Sequence, residues 1–71
     1  MDNTVSAILR AVDADDWTSF ANLVHPYVHW TEDGITTRGR TRVMALLSGR
    51  EGVRPPDSYE FRDGRVYRWN A

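Results

Sequence analysis

The residues best able to do chemistry crowd into one stretch, His25 to Leu47, whose acid and base groups are His25, His29, Glu32 and Asp33. Metal binding is the first chemistry to weigh. His25 and His29 are four apart, the spacing of a helical ligand pair, but Pro26 lies between them, so they cannot share a helical face. No Asp or Glu completes a ligand pattern with both, and two histidines without any cysteine are too few for a structural zinc cage. His25 is expected to close a helix, where a cation meets the negative end of the dipole. His29 is expected on a strand beside Arg38, as polar lining of a small cavity or as a plain surface residue. Acid–base work by a carboxylate needs one desolvated enough to hold a proton near neutrality. Glu32 and Asp33 precede Gly34, and Asp-Gly is the strongest short hairpin signal. The plain expectation for both is therefore a solvated hairpin tip.

Two other groups weigh binding against packing. Arg38, Arg40 and Arg42 gather before a helix, where arginine suits carboxylate or phosphate, but a solvated face is the preferred reading. Trp30 and Trp69 are large enough to stack on a planar ligand, but core or interface is the ordinary use of such rings. All nine basic residues are arginine, yet the net charge is −1, so no long-range field favours nucleic acid or an anionic membrane. No nucleophile elbow, glycine-rich phosphate loop, redox pair or nucleic-acid module is present. No apolar run approaches a membrane span, and a cytoplasmic protein is the default.

Short elements must position these residues. Residues 3–14 read as a helix, with Val5, Ile8, Leu9 and Val12 on one face and Asn3 as N-cap. Asp15 or Asp16 can cap a second helix carrying Trp17, Phe20, Ala21 and Val24, which Pro26 ends. Residues 27–32 alternate as a strand. A two-residue turn at Asp33-Gly34 pairs Glu32 with Ile35, placing Val28, Trp30, Ile35 and Thr37 on one face and His29, Thr31, Thr36 and Arg38 on the other. Gly39 breaks the second strand. A third helix runs from about Arg40 to Ser48 with Val43, Met44, Leu46 and Leu47 on its apolar face, and Gly49 suits a left-handed cap. The polar residues 49–56 then lead to a second hairpin at Asp63-Gly64. A bulged turn with Gly64 at the bulge would put Tyr59, Phe61, Tyr67 and Trp69 on one face and Glu60, Arg62 and Arg68 on the other. Seventy-one residues make a single domain, 1–71, with a marginal core, and dimerisation is the remaining aid.

The order of these elements, with their residues, resembles the nuclear transport factor 2-like (NTF2-like) superfamily, closest to its SnoaL-like branch of small bacterial proteins. The resemblance rests on Asp13–Trp17, Phe20 through Pro26, Val28-His29-Trp30, Arg38-Gly39-Arg40, and Arg62 through Val66. It implies an α+β fold: three helices packed on a curved antiparallel sheet of about four strands, a reduced form of the family's cone. Family members are usually much longer, with two further long strands after the third helix. A shortened sheet leaves an edge or face to pair with another chain. Catalytic relatives include ketosteroid isomerase-like enzymes, SnoaL-type polyketide cyclases and limonene-epoxide hydrolase-like proteins. In the isomerase-like pattern a carboxylate follows the first strand, at Glu32 with Asp33 adjacent; Tyr27, Tyr59 or Tyr67 would donate to an oxyanion, and His29 would assist.

Three functions are thus expected in order. The first is a homodimer without catalysis that binds a small apolar or amphipathic molecule, or a protein partner, through Trp30, Tyr59, Tyr67, Trp69 and Arg38. The second is an isomerase, cyclase or hydrolase using Glu32 or Asp33 with His29 and a tyrosine. The third is a structural interaction domain. No metal or cofactor is expected.

Overall fold

The computed structural model describes residues 2–71. Helix α1 spans Asn3–Asp13, and Asp2, rather than Asn3, caps it. The Asp2 carboxylate accepts from Thr4 N at 2.7 Å and Val5 N at 3.4 Å, adding negative charge where the helix dipole is positive. The chain reverses through Asp15 in the left-handed region, and Asp16 caps helix α2, Trp17–Leu23. Ser19 donates to Asp16 from its backbone N–H at 3.2 Å and its hydroxyl at 2.7 Å. These bonds to the charged form hold the Asp16 carboxyl below its ordinary range.

Strand β1 begins earlier than the proline suggested, at Val24, and runs to Glu32. Two contacts let α2 pass directly into it. Val24 is fully buried, and the Arg40 guanidinium donates to Ala21 O at 2.8 Å and Val24 O at 3.3 Å. Arg40 therefore satisfies carbonyls freed at the helix end; it is not part of a free basic cluster. Strand β2, Ile35–Arg38, pairs antiparallel with β1 in the expected register, from Glu32↔Ile35 to His29↔Arg38. Helix α3, Arg40–Leu47, buries Val43 and Leu47 but leaves Leu46 42% exposed. Gly49 follows with φ +86°, the left-handed cap expected there.

Strands β3, Ser58–Arg62, and β4, Arg65–Asn70, complete a sheet of order β2-β1-β4-β3. The α+β class and three-helix, four-strand count match the sequence reading. The sheet is mixed, however, not wholly antiparallel, because β1 and β4 run parallel. The crossover through α3 carries the chain over the sheet, so the second hairpin enters in the same orientation as the first.

The second hairpin also corrects its expected register. The Asp63-Gly64 turn is a plain two-residue one, pairing Arg62 with Arg65 and Phe61 with Val66, and the slip comes between Phe61 and Glu60, which pairs with Arg68. Tyr67 is the extra residue. Val66 and Trp69 are both fully buried yet three apart, and a regular strand cannot turn both inward. The bulge allows it and sends Tyr67 to the outer face, away from Tyr59, Phe61 and Trp69.

The helices cover the inner face over β1 and β4. There Trp30 and Trp69 stack at 4.4 Å between centroids with a 7° interplanar angle, among Val5, Ile8, Phe20, Val28 and Val43. Neither buried indole N–H has an acceptor among the described residues. Each orphan costs about 1–3 kcal/mol, which burial of the two rings has to outweigh.

A candidate binding groove at the first hairpin

Direct pairing with Ile35 puts Glu32 on the inner face, in line with Val28 and Trp30 and just past the covered core. After α3, Gly49 turns the chain back and Arg50 reaches across to Glu32. The contact is bidentate: Arg50 Nη1 donates to Oε1 at 2.8 Å and Nη2 to Oε2 at 3.2 Å. The Glu32 side chain is only 13% exposed. Its carboxylate holds the Arg50 guanidinium charged, above its ordinary pKa. One residue on, Asp33 takes the left-handed first position of the turn, and its carboxylate accepts from Arg54 Nη2 at 2.9 Å. The Asp33 side chain is 79% exposed, so the solvated tip expected of both carboxylates describes Asp33 alone.

Between these ion pairs and α3 lies a groove of about 280 Å³ lined by Glu32, Asp33, Ile35, Thr37, Leu46, Arg50 and Arg54. Its apolar wall is unsatisfied, with Ile35 73% and Leu46 42% exposed. It combines bare aliphatic surface, a hydroxyl and two arginines, which suits a small molecule with an apolar body and a polar end. A larger groove of about 470 Å³ runs between α1 and α2, but its Asp16 and Ser19 are bonded to each other in the cap. Among the described residues, no three His, Asp or Glu side chains gather as a metal site.

The candidate residues separate into distinct places. Glu32 and Asp33 share the groove. His29 faces the other side of the sheet, opposite Arg38 on β2 and Arg68 on β4, with Tyr67 at 5.3 Å between ring centroids. Partial burial and the charges of Arg68, Arg38 and Arg62 hold its pKa below the ordinary value. His29 therefore cannot work with Glu32 through one bound molecule, and Arg38 and Tyr67 lie with His29. Trp30 and Trp69 cover each other in the core, so neither offers a face to a ligand. Tyr59 stands with Phe61 on β3, across the sheet from the groove, the two rings edge-on at 5.7 Å. Sequence reading missed Arg50, Arg54, Ile35 and Leu46 as lining. The only signal was two arginines shortly beyond Gly49, facing two carboxylates at a turn.

No family model matches this sequence, and no curated protein matches it. Solved structures do. A protein from Sinorhizobium meliloti provisionally assigned as a polyketide cyclase superposes with a TM-score of 0.78 at 13% identity, over 99% of this chain and 94% of that one. An NTF2-like protein of unknown function from Burkholderia xenovorans LB400 superposes with a TM-score of 0.70 at 17% identity, over 94% of this chain and 77% of that one. The chain has an NTF2-like fold. In this NTF2-like sheet the space beneath the helices is filled by Trp30 and Trp69, and open volume remains at the rim beside Glu32.

Proposed function

We propose that this protein is a non-catalytic, homodimeric NTF2-like module that binds a small amphipathic molecule in the groove between the first hairpin and α3. One observation carries the reading: apolar wall and polar end meet there, while both carboxylates are already engaged by arginine. A general base needs a carboxylate oxygen aimed at the substrate; Arg50 bonds each oxygen of Glu32, and Asp33, bonded at one oxygen, stands 79% exposed at the turn. The test is a fluorescence titration with 8-anilinonaphthalene-1-sulfonate, a probe with an aromatic body and a polar end. Saturable enhancement at one dye per chain is expected, with loss of at least tenfold in affinity for Leu46→Arg at unchanged far-ultraviolet circular dichroism. No saturable binding by the natural sequence, or equal binding by the variant, would overturn the assignment.

A catalytic reading has two observations in its favour. Glu32 is the better buried carboxylate and borders the groove, and the Sinorhizobium neighbour carries a provisional cyclase assignment. An isomerase, cyclase or hydrolase would need Arg50 to release Glu32 when substrate enters. Proton exchange at an activated carbon of a bound ketone, lost in Glu32→Gln, would establish it.

A further inference from the structure

The homodimer in that reading can be given a specific joint. We propose that two copies associate through edge strand β3, in antiparallel two-fold register about Phe61, extending the four-stranded sheet into a continuous one of eight.

Three features of β3 meet in this arrangement. It is the outer strand of the order β2-β1-β4-β3, so its outward N–H and C=O groups have no strand partner among the described residues, and all five of its residues are exposed. On the inner face, Tyr59 and Phe61 are 37% and 44% exposed, beyond the cover of the helices. On the outer face, Glu60 and Arg62 carry opposite charges two positions apart. A two-fold centred on Phe61 sets Phe61 opposite its own copy and Glu60 opposite the second copy's Arg62, twice over. Aromatic and opposite-charge cross-strand pairs both stabilise a sheet, and an isologous joint makes each contact in duplicate. Glu60 also meets Arg68 of its own chain at 3.0 Å, so each new contact would extend an existing ion pair.

The other surfaces fit a second copy less well. The β2 edge is only four residues long and carries Arg38 with no acid, so self-pairing there leaves each arginine without a counter-charge on the copy's strand. The outer sheet face bears Arg38, Arg62, Arg65 and Arg68 against Glu60 and Asp63, and stacking two such faces opposes like charges. The β3 edge has no proline inside it, and its alternation of aromatic and charged residues is self-complementary.

Sedimentation equilibrium at tens of micromolar tests the joint. Twice the chain mass is expected for the natural sequence, the single chain mass for Glu60→Arg and for Arg62→Glu, and recovery of the dimer in the variant carrying both. Phe61→Lys, at a position 44% exposed in the single chain, should also give monomers, with circular dichroism confirming the fold. A dimer that persists through Glu60→Arg and Phe61→Lys overturns the β3 joint but leaves the homodimer standing. Failure of the double variant to recover overturns the Glu60–Arg62 register. A monomeric natural sequence overturns both joint and homodimer, while dye binding in the groove is read separately.

Discussion

The two hairpins of this protein start from the same turn and end differently. Asp33-Gly34 and Asp63-Gly64 take nearly identical left-handed angles, φ +52° and +80° in the first, +54° and +76° in the second. The first hairpin then continues in register through four pairs, whereas the second slips at Tyr67 after two. A turn therefore sets only the nearest pairs. Further along, register follows whichever side chains have to be inside. In β1, Val28 and Trp30 are two apart and need no slip. In β4, Val66 and Trp69 are three apart, and the strand gives up one regular pairing to bury both.

That explanation is exposed to its largest test at Trp69. Replacing it with alanine removes half of the Trp30–Trp69 stack and opens a cavity at the centre of the core, a loss of about 3–5 kcal/mol. In a domain this small, that should leave much of the chain unfolded in urea titration at 25 °C. Tyr67→Ala, two residues back but on the outer face, should cost only about 1 kcal/mol. Equal losses would mean that both rings share one environment and that the bulge lies elsewhere.

The turns themselves should be equivalent. Among the described residues, no heavy atom beyond the chain neighbours of Gly34 or Gly64 lies within 4 Å of an added Cβ, so alanine at either meets no clash and suffers only from its positive φ. Each substitution should cost about 1–2 kcal/mol. A clear difference between Gly34→Ala and Gly64→Ala in the same titration would show that the turns are loaded unequally by the strands they join.

Much of this was legible in the residues, and the failures share a cause. The helices and first hairpin followed from local periodicity and turn chemistry, and the NTF2-like order from the resemblance its motifs carry. The second hairpin clearly needed a slip, but two placements bring Tyr59, Phe61 and Trp69 inside. They differ in whether Val66 or Tyr67 joins them. Tyrosine has a hydroxyl that keeps one end wet, whereas valine has only apolar surface to hide, so burial of Val66 wins. The parallel β1–β4 pairing depends on how the crossover through α3 returns, which no local pattern reports. The groove was half visible. The first-hairpin register already puts Glu32 opposite Ile35 and hence on the inner face, but Arg50 arrives from 18 positions away.

The smallest effect lies at the seam between the hairpins. His29 on β1 is opposite Arg38 of the first hairpin and beside Arg68 of the second, with the bulged Tyr67 against its ring and Arg62 stacked over Tyr67 at 4.0 Å. Partial burial, then these three cations, disfavour the imidazolium, so the folded pKa lies below the ordinary 6.5. Between that lowered value and 6.5 the unfolded chain binds more protons than the folded one. Stability therefore rises with pH through this window, falls on acidification below about 6.5, and is unaffected by His29 above it. The dependence should be shallow because the group is only partly buried. Urea midpoints measured from pH 5 to pH 8 should decline towards the acid end, and His29→Gln should flatten the part of the slope just below pH 6.5. If Arg68→Gln, which removes the largest of the cationic contributions from the second hairpin, leaves that slope unchanged, then the seam is not where the two hairpins meet electrostatically, and partial burial alone sets the behaviour of His29.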